Sequence, residues 1–248
     1  MILLTDVISQ SSNFCWIVLD ETTYYISAFA VDSNDTIINV QNSIITTEFF
    51  VQWYEKLNYI ESTWTQYIHT WYYPDSSPKC EIVFSPLWNT SWNNRYCLFW
   101  ERSVSSWLDY KQFCLYHYNT SPYYLTPNYW TFDPGASSWV NISLWTNHTV
   151  INDKWQFYLD WTLKQSASTT NTLQQSNYSV YLFDNNVVWT RQNRWTKMRL
   201  YSCKFYNSDI LQRDFVPAKR KSDSVVWLID LVNKTFYTNS WTWTFNYW

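Results

Sequence analysis

Glycine is almost missing. Gly135 is the single one in 248 residues, where average usage of ~7% predicts roughly 17. Glycine enters positive-φ backbone freely, so a chain without it has little turn chemistry. Charge is scarce as well, at 15% of residues with a net charge of -3. The one basic run, Ala218-Lys219-Arg220-Lys221, lies between Asp214 and Asp223 and reads as a solvated loop. Nucleic-acid partners are not expected, because such binders gather positive charge on one face. No segment reaches the ~18 apolar residues of a membrane helix, so no membrane insertion is expected. Met1-Ile2-Leu3-Leu4-Thr5-Asp6 has neither the basic start nor the apolar stretch of a secretory signal. The expectation is export by another route, as virion parts leave on lysis, or a start further upstream.

Motifs that carry chemistry are missing too. Cys15, Cys80, Cys97, Cys114 and Cys203 are odd in number and form no Cys-x-x-Cys pair, which argues for buried free thiols over zinc or a disulfide framework. His69, His117 and His148 have no ligand-like spacing. A glycosidase needs carboxylates about 5 Å apart across one bond, yet no Glu-x-Asp-x-x-Glu run occurs. Asp20 and Glu21 are adjacent and point to opposite faces of a strand. Ser/His/Asp catalysis has no nucleophile elbow. No enzyme activity and no cofactor are expected. Seven Asn-x-Ser/Thr sequons, at Asn34, Asn89, Asn119, Asn141, Asn147, Asn177 and Asn233, arise by chance in so Asn-, Ser- and Thr-rich a chain.

Aromatics fill the space: 19 Trp, 21 Tyr and 14 Phe. The tryptophan excess is close to the glycine deficit. Trp64 in Ser-Thr-Trp-Thr-Gln, Trp161 in Leu-Asp-Trp-Thr-Leu, and Trp241 and Trp243 in Asn-Ser-Trp-Thr-Trp-Thr-Phe occupy turn-like contexts that call for positive φ. These tryptophans are therefore expected to be glycines in the protein as made, from UGA codons that the organism reads as glycine. Abundant Asn, Tyr and Ile fit the AT-rich genome in which such reassignment is favoured. The alternative is a truly tryptophan-rich chain with indoles as sheet ladders or sugar platforms. Trp155, in Asp-Lys-Trp-Gln-Phe-Tyr, reads as strand and as genuine tryptophan.

Helical periodicity is nearly absent, and short β-branched and aromatic runs alternate with polar breaks, so an all-β fold is expected. Thr23–Val31 and Thr36–Val40 form a hairpin around Asp32-Ser33-Asn34-Asp35. Val18–Val31 resembles the penultimate strand of a fibronectin type III domain, with Tyr24 as its inward corner tyrosine, although Asp20 and Glu21 replace the proline and glycine of that corner. Residues 1–48 thus read as the last strands of such an immunoglobulin-like sandwich, and 49–57 as a linker. Further strands are expected at Lys79–Phe84, Tyr96–Phe99, Gln112–Tyr116, Val140–Leu144, Trp155–Asp160 and Met198–Tyr206, with Arg213–Ala218, Trp227–Asp230 and the closing stretch Phe236–Phe245 after them.

With glycine at 64 and 71, Tyr59–Tyr72 resembles the first strands of laminin-G-like modules of phage tail fibres and bacterial surface proteins. Met198–Phe245 is similar to the end of that family, closing on a glycine-threonine-glycine-threonine turn at Trp241 to Thr244. The resemblance implies a concanavalin A-like jelly-roll β-sandwich over 58–248 and adds Trp71 and Trp227 to the expected glycines. It implies a non-catalytic module that binds a cell-surface glycan or protein ligand, in a virion tail or at a cell surface. Calcium, held by loop aspartates such as Asp75, Asp109, Asp133, Asp153 and Asp184, is the one ion the resemblance allows. Tyr72, Tyr73, Tyr123 and Tyr124, beside prolines in loop-like context, are candidate sugar-stacking residues, against a plain reading as core or sheet packing. Two alternatives stand: a structural module that spaces or trimerises a fibre as a homo-oligomer, and a glycan hydrolase.

Overall fold

The computed structural model describes residues 15–20, 23–31, 37–45, 54–63, 65–87, 95–102, 112–118, 123–129, 140–154, 156–166, 176–191, 194–240 and 244–248. For the first three stretches, and for 95, 102, 112, 128 and 129, it describes the backbone alone. The described residues are all-β and contain no helix, hence none long and apolar enough to cross a membrane. The chain divides into two compact units, Met1–Tyr54 and Glu55–Trp248.

The first unit holds an antiparallel meander of β1 (Cys15–Asp20), β2 (Thr23–Val31) and β3 (Ile37–Ile45). Tyr24, the second residue of β2, pairs with Leu19 on one side and Ile45 on the other. Its side chain, and the turn at 32–35, lie outside the described residues. The expected return strand Thr36–Val40 is longer than anticipated, because pairing with β2 runs on to Tyr24↔Ile45.

The second unit begins with β4 (Tyr54–Lys56), β5 (Ile60–Glu61), β6 (Ile68–His69), β7 (Pro78–Pro86), β8 (Arg95–Arg102), β9 (Gln112–Tyr118), β10 (Tyr123–Tyr129) and β11 (Val140–Ile142). It continues through β12 (His148–Asp153), β13 (Gln156–Leu159), β14 (Thr162–Ser166), β15 (Tyr181–Leu182), β16 (Asn186–Val187) and β17 (Thr190–Arg191). The last strands are β18 (Met198–Asn207), β19 (Ile210–Arg220), β20 (Val226–Asp230), β21 (Thr235–Tyr237) and β22 (Asn246–Tyr247). Residues 55–57 correct the expected linker. They join the sheet beside β19, where the Leu57 amide donates to the Pro217 carbonyl at 3.0 Å.

Two sheets make a β-sandwich. One runs β14-β13-β12-β7-β18-β19-β20-β21, the other β11-β10-β9-β8-β15-β6. Pairing is antiparallel apart from β16 against β8. In β7, Cys80, Ile82 and Phe84 are buried while Lys79, Glu81 and Val83 are half-buried, the period of two that a one-face-buried strand imposes. Phe205 of β18 meets Phe99 of β8 at 5.5 Å and Phe113 of β9 at 6.4 Å between ring centroids, so the sheets interdigitate there. Cys80, Cys97, Cys114 and Cys203 are buried, with Cys80 and Cys203 Sγ atoms 3.9 Å apart.

Candidate functional site

Burial alternates along residues 67–73, of which Ile68 and His69 form β6 and Trp71 turns into left-handed backbone. Ile68, Thr70 and Tyr72 are buried, while Tyr67, His69 and Tyr73 are half-buried and Trp71 is exposed. Alternation follows from strand geometry, and here it lines up four rings on one outward face. Cross-strand pairing brings the second half of the site. β6 pairs with β15 so that Tyr181 stands opposite His69, and their rings are 4.9 Å apart. Tyr67 lies 5.1 Å from Tyr181. The turn between β16 and β17 adds Trp189, whose ring is 5.4 Å from Tyr178, 6.2 Å from Tyr73 and 6.2 Å from His69. Trp71 stacks on His69 at 3.8 Å.

One edge of this aromatic patch is charged and held fixed. The Arg191 guanidinium lies over Tyr67 at 4.6 Å, donates from Nη2 to the Thr65 carbonyl at 2.8 Å, and pairs through Nε with the buried Asp184 carboxylate. Asp184 also accepts from the Asn185 and Arg194 amides at 2.8 and 2.7 Å. Burial pushes its carboxyl up, against the pull of Arg191. A hydrogen bond joins Ser179 Oγ and His69 Nε2. Burial lowers the His69 pKa to about 4, so the imidazole is a neutral ring at physiological pH. The patch thus offers flat rings with polar rims.

The sequence candidates are scattered by the fold. Tyr73 belongs to the patch. Tyr72 does not: it is a core residue, stacked on Phe205 at 4.7 Å, with its hydroxyl donating to the Tyr206 carbonyl at 2.8 Å. Adjacent positions in an extended run face opposite ways, which separates these neighbours. Tyr123 and Tyr124 are not in a loop but open β10, opposite Ile142 and Asn141, and Tyr123 packs against the core. Trp71 and Trp161 sit in left-handed backbone, at φ 51° and 65°. Trp227 lies inside β20 opposite Ala218, with its ring 5.1 Å from Phe236. Trp64, Trp155, Trp241 and Trp243 lie outside the described residues, as do Asp109 and Asp133.

Other acids serve the fold. Asp75 accepts from the Ser77 amide at 2.7 Å and from Ser208 Oγ at 2.6 Å, and Asp153 ends β12 opposite Gln156. Among the described residues, no three His, Cys, Asp or Glu side chains converge as metal ligands. His117 bonds Thr196 Oγ1 at 2.9 Å and His148 bonds Asp160 at 2.9 Å, in separate places. In the basic run, Lys219 pairs with Glu55 at 2.7 Å and Arg220 with Asp223.

Two features had a sequence signal that composition obscured. The patch is written as Tyr67-x-His69-x-Trp71-x-Tyr73, a period of two. Glu101 is an acid ending the apolar run Leu98-Phe99-Trp100. It is buried, accepts from Ser176 Oγ, and burial lifts its pKa to about 8. No protein-family model matches this chain, and neither the curated proteins nor the solved structures yield a match.

Proposed function

We propose that the second unit is a non-catalytic recognition module of concanavalin A-like, laminin-G-like jelly-roll build that binds glycan through the ring patch on β6 and β15. The observation that carries this reading is the outward alternation of Tyr67, His69 and Tyr73 beside Tyr178 and Tyr181. Clustered rings, with Tyr67 capped by the Arg191–Asp184 pair, would bind sugar faces with little loss of side-chain freedom. The non-sequential order β12-β7-β18 in a two-sheet sandwich supports the jelly-roll assignment, because such folds place sequence-distant strands side by side. The resemblance to phage tail-fibre and bacterial surface modules supports a place in a virion tail or on a cell surface, with a surface glycan as partner.

Binding is measured by titrating β-glucan oligomers, peptidoglycan fragments and capsular polysaccharide. At least one class binds without turnover, and Tyr73→Ala and Tyr178→Ala each weaken it about tenfold, near 1.4 kcal/mol. Unchanged affinity in both variants would sink the assignment of the patch. Glycan cleavage abolished by Glu101→Gln would replace recognition by hydrolysis.

A further inference from the structure

We infer that Trp71, Trp145, Trp161 and Trp189 stand at codons that the natural host decodes as glycine, and that the native chain therefore leaves the His69–Tyr73–Tyr178 rings uncovered. Four of the nine described tryptophans adopt left-handed backbone, at φ 51°, 62°, 65° and 61° in that order. Tyrosine and phenylalanine are far more numerous, yet Phe183 is their sole member there among the described residues. Aromatic character is therefore not what draws residues into this region. A Cβ crowds the following carbonyl in left-handed backbone, and only glycine escapes the clash.

The turns specify the residue further. Leu159 pairs with Thr162 across the β13–β14 hairpin, leaving a two-residue loop, Asp160-Trp161, with both φ positive at 50° and 65°. That is a type I′ turn, whose strongest sequence preference is Asn-Gly or Asp-Gly. Val187 pairs with Thr190 across β16–β17, and Val188-Trp189 repeats the pattern at 51° and 61°.

Backbone and side chain tell different stories at these positions. The backbone is used: the Trp145 amide donates to the Pro86 carbonyl at 2.8 Å, and the Trp71 carbonyl accepts from Arg213 Nη2 at 2.8 Å. The four residues are half to three-quarters exposed, at 54%, 61%, 75% and 50%. Large apolar rings on turns, with a conformation that their own Cβ opposes, fit positions built for a residue without a side chain. Trp227, inside a strand and not in left-handed backbone, does not meet this criterion.

Removing the Trp71 indole bares one face of the His69 ring, and removing that of Trp189 bares Tyr73 and Tyr178. Only the use of those rings for glycan rests on the proposed recognition role; the identity of the four residues stands apart from it.

The test compares the chain as written with the quadruple variant W71G/W145G/W161G/W189G, and with W227G as control. The quadruple variant is expected to unfold at a clearly higher temperature, and W227G at a lower one. Tetranitromethane is expected to nitrate Tyr73 and Tyr178 several-fold faster in the quadruple variant. An equal or lower unfolding temperature for the quadruple variant overturns the inference. So does UGG at these codons, or tryptophan mass in the corresponding peptides of protein from its natural source; UGA with glycine mass establishes it. Neither readout involves a sugar, so failure to bind glycan leaves these outcomes intact.

Discussion

Two buried residues pull stability in opposite directions with pH. His117 has its pKa lowered from 6.5 to about 4 by burial, partly offset by the Tyr118 backbone. The unfolded chain takes up that proton first, so stability falls as pH drops from 6.5 towards 4. Burial raises Glu101 from 4.5 to about 8, against the Ser176 and Phe113 hydrogen bonds. Its contribution is complete below pH 4.5 and is lost as pH climbs to 8. Glu101→Gln removes the alkaline loss, so the variant exceeds the parent by up to roughly 3 kcal/mol at pH 8 and matches it near pH 4.5. Urea midpoints at pH 4.5, 6.5 and 8 decide the matter: a parent whose midpoint is level from 6.5 to 8 does not hold Glu101 protonated. The apolar run before Glu101 is in the sequence, but the burial of either residue depends on cross-strand partners such as β9 and could not be read from it.

Strand formation was legible where one face alone is buried. Lys79–Phe84 alternates strictly within β7, and Met198–Tyr206 of β18 alternates on either side of a register shift at Tyr201–Ser202. Two-residue strands such as β15 and β16 carry too few positions to show a period and exist because β8 is there to receive them. The site was half legible. The period of two in 67–73 is in the sequence, but the partners from 178 to 191 arrive only through cross-strand pairing. Proline misled at Tyr123 and Tyr124: Pro127 sits within β10 beyond the three residues that pair with β11, where a missing amide costs no ladder bond on that side. Within β18, Phe205 touches rings from Tyr72, Phe99, Phe113 and Phe215. Phe205→Ala is expected to lower stability by about 3–5 kcal/mol, whereas Lys204→Ala, one position along on the outer face, changes it by about 0.5 or less. Equal effects in urea unfolding would mean that the two sheets do not meet at Phe205.

The division after Tyr54 has a direct consequence for the whole molecule. A chain lacking residues 1–53 retains every described strand of both large sheets and the core cluster from Leu57 to Phe245. It is expected to unfold in one cooperative transition, with coincident fluorescence and far-UV circular dichroism curves. Separated curves, or an insoluble product, would show that the first three strands complete the same core. The facing thiols of Cys80 and Cys203 then acquire a use as a clock. They sit on the two central strands β7 and β18, with no access to solvent, and burial keeps the Cys80 thiol protonated and so unreactive. Passage from a reducing to an oxidising compartment leaves such a sandwich covalently unchanged. Each rare opening of the sheet exposes both sulfurs at once, so the slow accumulation of a crosslink would tally how often the molecule comes apart.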